Sequence, residues 1–313
     1  MNWLDRTKPA LVDPRDADLS DTTYLVPCFA DPDPLVMSIE RVGILNPPII
    51  QERSDGRLIP VLGRRRLEAA DRVRLREVAT RVVPDDMPEP DGFVLAFWDN
   101  YGHRGFDAAV RTVVLVRLLE LFPLLTVARD FLPALDIPPK GPRIERLKAI
   151  GRLEHRLLRA LASGRIHEKT AALLTKCLPE DRSTVMDLVE LLGLNANKNA
   201  EIVANLFDLS VLSGRKISEV LQDDPLPEVL HEENLSMAER GKRIREQVRA
   251  WKFPALSTNE QKFLEWRRTL SLPPNTTIRH AAAFESEECA VEIKLRSRED
   301  AIRALERLSG LNP

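Results

Sequence analysis

Between residues 24 and 83, short apolar runs alternate with stretches of helical periodicity. The runs at 24–26, 49–52, 58–62 and 78–83 have strand length, whereas 35–42 and 64–73 repeat apolar residues at helical spacing. The order predicted is strand, helix, strand, strand, helix, strand, with Ser54, Asp55 and Gly56 as a hairpin turn. Residues 1–20 are polar and proline-bearing without periodicity, which predicts a flexible lead-in. The acidic, proline-rich 84–92 stretch predicts a surface loop.

Beyond that loop helices dominate. The 108–122 stretch presents Ala109, Val113, Val116 and Leu119 as an apolar face and meets Pro123 just past its end. Further helices are predicted at 127–132, 143–150, 154–163, 168–177, 182–192 and 198–212. A linker is expected at 223–227 and a charged amphipathic helix at 235–250. Ser257 with Glu260 matches a capping box heading another helix, followed by strands at 276–281 and 290–295 and a closing helix at 298–308. The fold class is therefore multi-domain α+β: a lead-in over 1–20, an α/β domain over 21–105, an all-helical domain over 106–224, and a helix plus small α+β domain over 225–313.

Composition adds limits. The chain has 313 residues, 43% hydrophobic and 30% charged, enough for two or three ordinary packed cores. The first residues scatter charges where a signal peptide needs an apolar core, and no segment approaches the ~20 apolar residues of a membrane span, so a cytoplasmic protein without membrane contact is expected. Cys28, Cys177 and Cys289 stand far apart without CxxC spacing, which predicts free thiols. The formal net charge of −2 means that any polyanion must be held by a local patch.

Three short motifs carry candidate chemistry. Ser38 and Ile39 precede Gly43, Asn46 and Pro47, a helix that ends at glycine and turns into a strand; a helix cap and stop explain it equally. Gly63, Arg64, Arg65 and Arg66 then open a helix with three cations at the end where the macrodipole is positive. A bound anion, held by free N–H groups and guanidinium forks, removes that conflict; solvated surface arginines are the plainer reading. Asp99 and Asn100, followed by His103 and Arg104, pair a carboxylate with an amide oxygen, which suits a hard cation such as Mg2+ or a helix cap.

In this order the motifs resemble those of the ParB family, and the match covers residues 22–111. The resemblance implies a ParB/sulfiredoxin-like α/β domain that binds CTP with Mg2+. Gly63, Arg65 and Arg66 would contact the triphosphate, Asp99 and Asn100 the metal, and Ser38, Ile39, Gly43, Asn46 and Pro47 would lie near the base or phosphates. Two positions depart from the family: Arg64 stands where it has a glutamate associated with hydrolysis, and His103 where it has an arginine, with Arg104 displaced by one. Arg64, His103 and Arg104 join the candidate phosphate contacts. Sulfiredoxin's cysteine would fall at 63–66, where none is present, and no acidic cluster supports nuclease chemistry.

The family continues into a helix-turn-helix region, so Arg143, Arg146 and Lys148 are candidate DNA contacts, although the 136–142 connection exceeds the usual turn. The C-terminal α+β domain would serve a homodimer or a protein partner. The function expected is a Mg2+-dependent, CTP-type switch with DNA association and weak or absent hydrolysis. Its competitors are a nucleotide hydrolase or phosphotransferase using the same pocket, and an interaction scaffold with a vestigial pocket.

Overall fold

The structure is a computed structural model that describes residues 3–270, 272, 276–281, 284–294, 297 and 301–302. The chain divides into two compact units, Met1–Leu178 and Pro179–Pro313, a coarser partition than the one read from the sequence.

The first unit is built on a four-stranded sheet. Its strands are β1 (Lys8–Val12), β2 (Ile49–Glu52), β3 (Leu58–Leu62) and β4 (Val78–Val83), in the order β1-β4-β2-β3. β1 runs antiparallel to β4, β4 parallel to β2, and β2 antiparallel to β3. Helix α1 (Asp33–Val42) precedes β2, and α2 (Arg64–Arg72) joins β3 to β4. Ile50 on β2, Leu67 and Ala70 on α2, and Val78 on β4 form one buried cluster with Val12 and Ala17. That cluster fixes α2 on the sheet and so fixes where its first turn points.

Helices complete the unit: α3 (Glu89–Arg104), α4 (Ala108–Leu121), α5 (Leu124–Asp130), α6 (Leu132–Leu135), α7 (Gly141–Ile150), α8 (His155–Ala162) and α9 (Glu168–Leu174). Phe97 of α3 is fully buried and meets Phe106 and Phe131 edge-on, each at 5.2 Å between ring centroids. Ala109, Val110, Val114, Leu115 and Leu118 form the buried face of α4, whereas Val113, Val116 and Leu119 are only half-buried. The helix is apolar nearly all round, so periodicity could not select its core face.

The structure corrects three expectations here. Within the expected flexible lead-in, residues 3–20 are packed structure: Trp3 is buried, its Nε1 donates to Asp91 Oδ2 at 2.7 Å, and β1 forms the sheet edge. Only Val12 of that strand is buried, so no alternation announced it. Residues 24–26 form no strand; Tyr24 is instead anchored through its hydroxyl, which donates to Gln51 Oε1 at 2.6 Å. The 84–92 stretch is loop only at its start, because α3 begins at Glu89. Pro90 falls in the first turn, where its missing N–H costs nothing, and Glu89 and Asp91 suit the positive helix end.

The second unit contains α10 (Pro179–Leu192), α11 (Ala196–Ser213), α12 (Ile217–Val220), α13 (Leu226–His231), α14 (Met237–Lys252) and α15 (Pro254–Thr269), then the antiparallel pair β5 (Thr276–His280) and β6 (Cys289–Ile293). The predicted linker at 223–227 is packed structure, with Leu226 fully buried at the head of α13. The capping box sits at Ser236 and Glu239, at the start of α14; Ser257 lies inside α15. Most of the closing helix predicted at 298–308 lies outside the described residues. Among the described residues, no helix is long and apolar enough to cross a membrane.

Candidate functional site

The α2 helix begins in an unusual electrostatic state. Gly63 caps it in the left-handed region at φ +80°, with no side-chain cap and no acid in the first turn. A Cβ at Gly63 would stand 3.0 Å from Arg66 Cζ and 3.1 Å from Pro48 Cα, so glycine is required both for the backbone angle and for room. Three guanidinium groups thus surround a helix end that already carries partial positive charge.

These arginines open onto a cavity of about 640 Å³. From the sequence-predicted residues it gathers Asn46, Gly63, Arg64, Arg65, Arg66, Asp99, Asn100, His103 and Arg104. Ser38, Ile39, Gly43 and Pro47 do not line it. Ser38 and Pro47 are exposed, Ile39 is buried on α1, and Gly43 ends that helix at φ +72°. Among the described lining residues, five arginines face two carboxylates, Glu68 and Asp99, so the cavity carries an excess of positive charge.

What each arginine touches separates them. Arg64 Nε pairs with Glu68 Oε1 at 3.0 Å, while its Nη1 donates to the Asp21 carbonyl at 2.6 Å. Arg65 donates to Cys28 Sγ at 3.2 Å and to the Asp31 carbonyl at 3.0 Å. Arg66 donates to the Asn46 carbonyl. Arg104 donates to Asn100 Oδ1 at 2.9 Å and the Pro27 carbonyl at 2.7 Å. Among the described contacts, Arg65, Arg66 and Arg104 therefore bond carbonyls, an amide and a thiol, but no carboxylate. Burial pushes the Arg66 and Arg104 guanidinium groups down from their ordinary value, with Asp99 opposing the shift at Arg66 and Cys28 at Arg104. Arg104 is nonetheless exposed, so it is half-buried Arg66, a cation without a carboxylate, that gains most from an incoming anion.

The donor set for a metal is small. Asn100 accepts from Arg104 through Oδ1 at 2.9 Å and donates Nδ2 to the Ala96 carbonyl at 2.8 Å, so one lone pair of Oδ1 is left for a cation. Asp99 projects its carboxylate beside His103 Nδ1 at 3.4 Å. No group of three or more His, Cys, Asp or Glu side chains gathers around a common point among the described residues. The set fits an ion that binds Asp99 and takes its remaining ligands from phosphate and water.

Sequence reasoning missed one wall. The 24–32 segment, including Cys28 and Phe29, lines the cavity, and so does His155 at the head of α8, whose ring lies 5.4 Å from that of Phe29. The candidate DNA contacts are elsewhere: Arg143 makes a two-pronged pair with Glu168, Arg146 Nε lies 4.0 Å from the same carboxylate, and Lys148 Nζ lies 3.5 Å from Glu145.

No family model matches the chain, and no curated protein does. Solved structures similar to it include the C-terminally truncated chromosome-partitioning protein ParB from Caulobacter crescentus complexed with CTP-gamma-S. That structure is 15% identical at a TM-score of 0.25, over 58% of this chain and 98% of that one. The same protein complexed to the centromeric parS site is 13% identical at a TM-score of 0.33, over 62% and 98%. A Pnob8-like ParB-N domain is 13% identical at a TM-score of 0.36, over 77% of this chain and 97% of that domain.

Proposed function

We propose that the cavity of the first unit binds a nucleoside triphosphate with Mg2+, and that the protein works as a nucleotide-dependent switch reset by dissociation. The observation that carries this reading is that Arg65, Arg66 and Arg104 line one cavity with the bare helix N-terminus at Gly63, while none of their described hydrogen bonds goes to a carboxylate. A triphosphate supplies the charge that this arrangement lacks, and guanidinium forks match its oxygens. Asp99 would hold the ion, which when bound neutralises and orients the terminal phosphates. CTP is the nucleotide that the motif resemblance implies.

Hydrolysis is weak on this reading. Arg64 cannot accept a proton. Glu68, one turn further along α2, is tied to Arg64. Asp99 is the other lining carboxylate, and it is committed once it holds metal. Water near the terminal phosphate is left without a placed base, a loss of about 10² to 10⁴ in rate. DNA association would act through phosphate contacts and fall steeply with salt.

The test is calorimetric titration of the protein with each of the four ribonucleoside triphosphates, with and without Mg2+. Saturable heat, largest affinity for CTP and strengthening by Mg2+ are expected. Absence of binding to all four overturns the proposal.

A further inference from the structure

The segment between Tyr24 and α1 has an unusual attachment. Val26 is buried, but Pro27, Cys28, Phe29, Ala30 and Asp31 make no backbone-to-backbone hydrogen bond among the described residues. What they do have is guanidinium groups. Arg104 Nη2 donates to the Pro27 carbonyl at 2.7 Å, and Arg65 Nη2 to the Asp31 carbonyl at 3.0 Å. Arg65 Nη1 also meets Cys28 Sγ at 3.2 Å. Two of the cations assigned above to phosphate are thus already occupied by the strap that walls the cavity. At its middle, the Phe29 ring rests at 5.4 Å from His155, the first residue of α8.

We infer that the 27–31 strap is a built-in competitor for the phosphate site, and that its displacement is what carries nucleotide binding to the helical part of the unit, through Phe29 and His155. The inference rests on the proposed nucleotide reading. Its physical basis is the exchange of acceptors. A phosphate oxygen is charged and a carbonyl is not, so the same guanidinium gains a Coulombic attraction from the phosphate that the carbonyl does not supply. The freed carbonyls lose little, because Asp31 is exposed and Pro27 is only half-buried, so water can take the place of the arginines. Val26 on one side and the start of α1 on the other remain as anchors, so the strap hinges and does not unravel. Once it lifts, Phe29 leaves His155, and α8 loses a contact that it keeps in the empty state. Differential contact of this kind is what a switch requires.

The His155 ring is its own reporter, because the Phe29 ring current shifts its Hε1 proton resonance. With only five histidines in the chain, that resonance can be assigned by its loss in His155→Gln. Calorimetry and proton spectra are recorded on the full chain with Mg2+-CTP and, separately, with inorganic tripolyphosphate. Both ligands should move the wild-type His155 resonance to the position that it has in ligand-free Phe29→Ala. In Phe29→Ala itself the ligands should leave the resonance in place, which separates loss of the ring from a direct effect of phosphate charge. The variant should also bind CTP roughly two- to tenfold more tightly, since the aromatic contact no longer opposes binding. Binding heat with an unmoved wild-type resonance, or an equal shift in Phe29→Ala, overturns the strap mechanism and leaves the nucleotide reading intact. Absence of heat with both ligands overturns the two together.

Discussion

Two arginine-rich helices of the same unit look alike in sequence and differ in what their charges meet. At the start of α2, Arg65 and Arg66 bond carbonyls and a thiol. On α7, Arg143 and Arg146 share the Glu168 carboxylate, and Lys148 lies beside Glu145. Counting cations would rank the two as equal candidates for a polyanion. Their partners do not: a guanidinium on a carboxylate must give up an ion pair to bind phosphate, whereas one on a carbonyl trades a neutral acceptor for a charged one. Available charge, not charge, marks a site.

Arg64 is the exception inside α2, because it alone of the three opening arginines holds a carboxylate, Glu68. It therefore gives the sharpest test. With saturating CTP and Mg2+, wild type should release phosphate very slowly in a single turnover, and Arg64→Glu should accelerate release by on the order of 10² by restoring a proton acceptor. A wild type that turns over many times per minute, with Arg64→Ala abolishing that activity, would replace the switch with an enzyme.

The next largest effect separates the two helices directly. A charge-assisted hydrogen bond contributes about 1.5 to 3 kcal/mol, so Arg65→Ala should weaken nucleotide binding roughly ten- to a hundredfold by calorimetry. Arg143→Ala should leave that affinity unchanged. Equal losses in both variants would mean that the contrast between them has no functional content.

Much of this was legible in the sequence, and the exceptions share a cause. Strands β2, β3 and β4 fall where the apolar runs put them, since each is buried enough to need them. The conflict between three arginines and a helix N-terminus also pointed to the cavity, because it is a conflict between side chains and a known dipole. The strap gave no such signal. It acts through backbone carbonyls, which every residue has, and the apolar run that suggests a strand stops at Val26, just before it. β1 stayed hidden because an edge strand with one buried residue has no alternation to show. His155 reaches the cavity from α8, far along the chain, a proximity that only the packed helices create.

Gly63 tests the geometry behind α2. An alanine there must hold φ at +80° and place a Cβ 3.0 Å from Arg66 Cζ. The left-handed angle costs about 1 to 2 kcal/mol, so the urea midpoint of Gly63→Ala should fall, and displacement of Arg66 should weaken nucleotide binding as well. A variant with unchanged midpoint and unchanged affinity would show that the turn tolerates what its contacts say it cannot.

The smallest effect comes from making α7 resemble α2. Glu168→Gln keeps the shape of the side chain at the head of α9 but removes the charge that Arg143 and Arg146 share. Both members of the Arg143–Glu168 pair are over a quarter exposed, with side chains at 29% and 28%, so stability should drop by less than about 1 kcal/mol. The two guanidinium groups then become available to an external anion. Binding to a random-sequence duplex should strengthen, and its dependence on salt should steepen by about one to two units of slope, since each added phosphate contact contributes about 0.9. Lys148→Ala in the same background should leave that slope nearly unchanged, because its partner, Glu145, is untouched by the substitution. If the Glu168→Gln duplex affinity and slope match wild type across the salt series, the carboxylate was not what kept α7 from phosphate, and the rule drawn from the two helices fails at its simplest case.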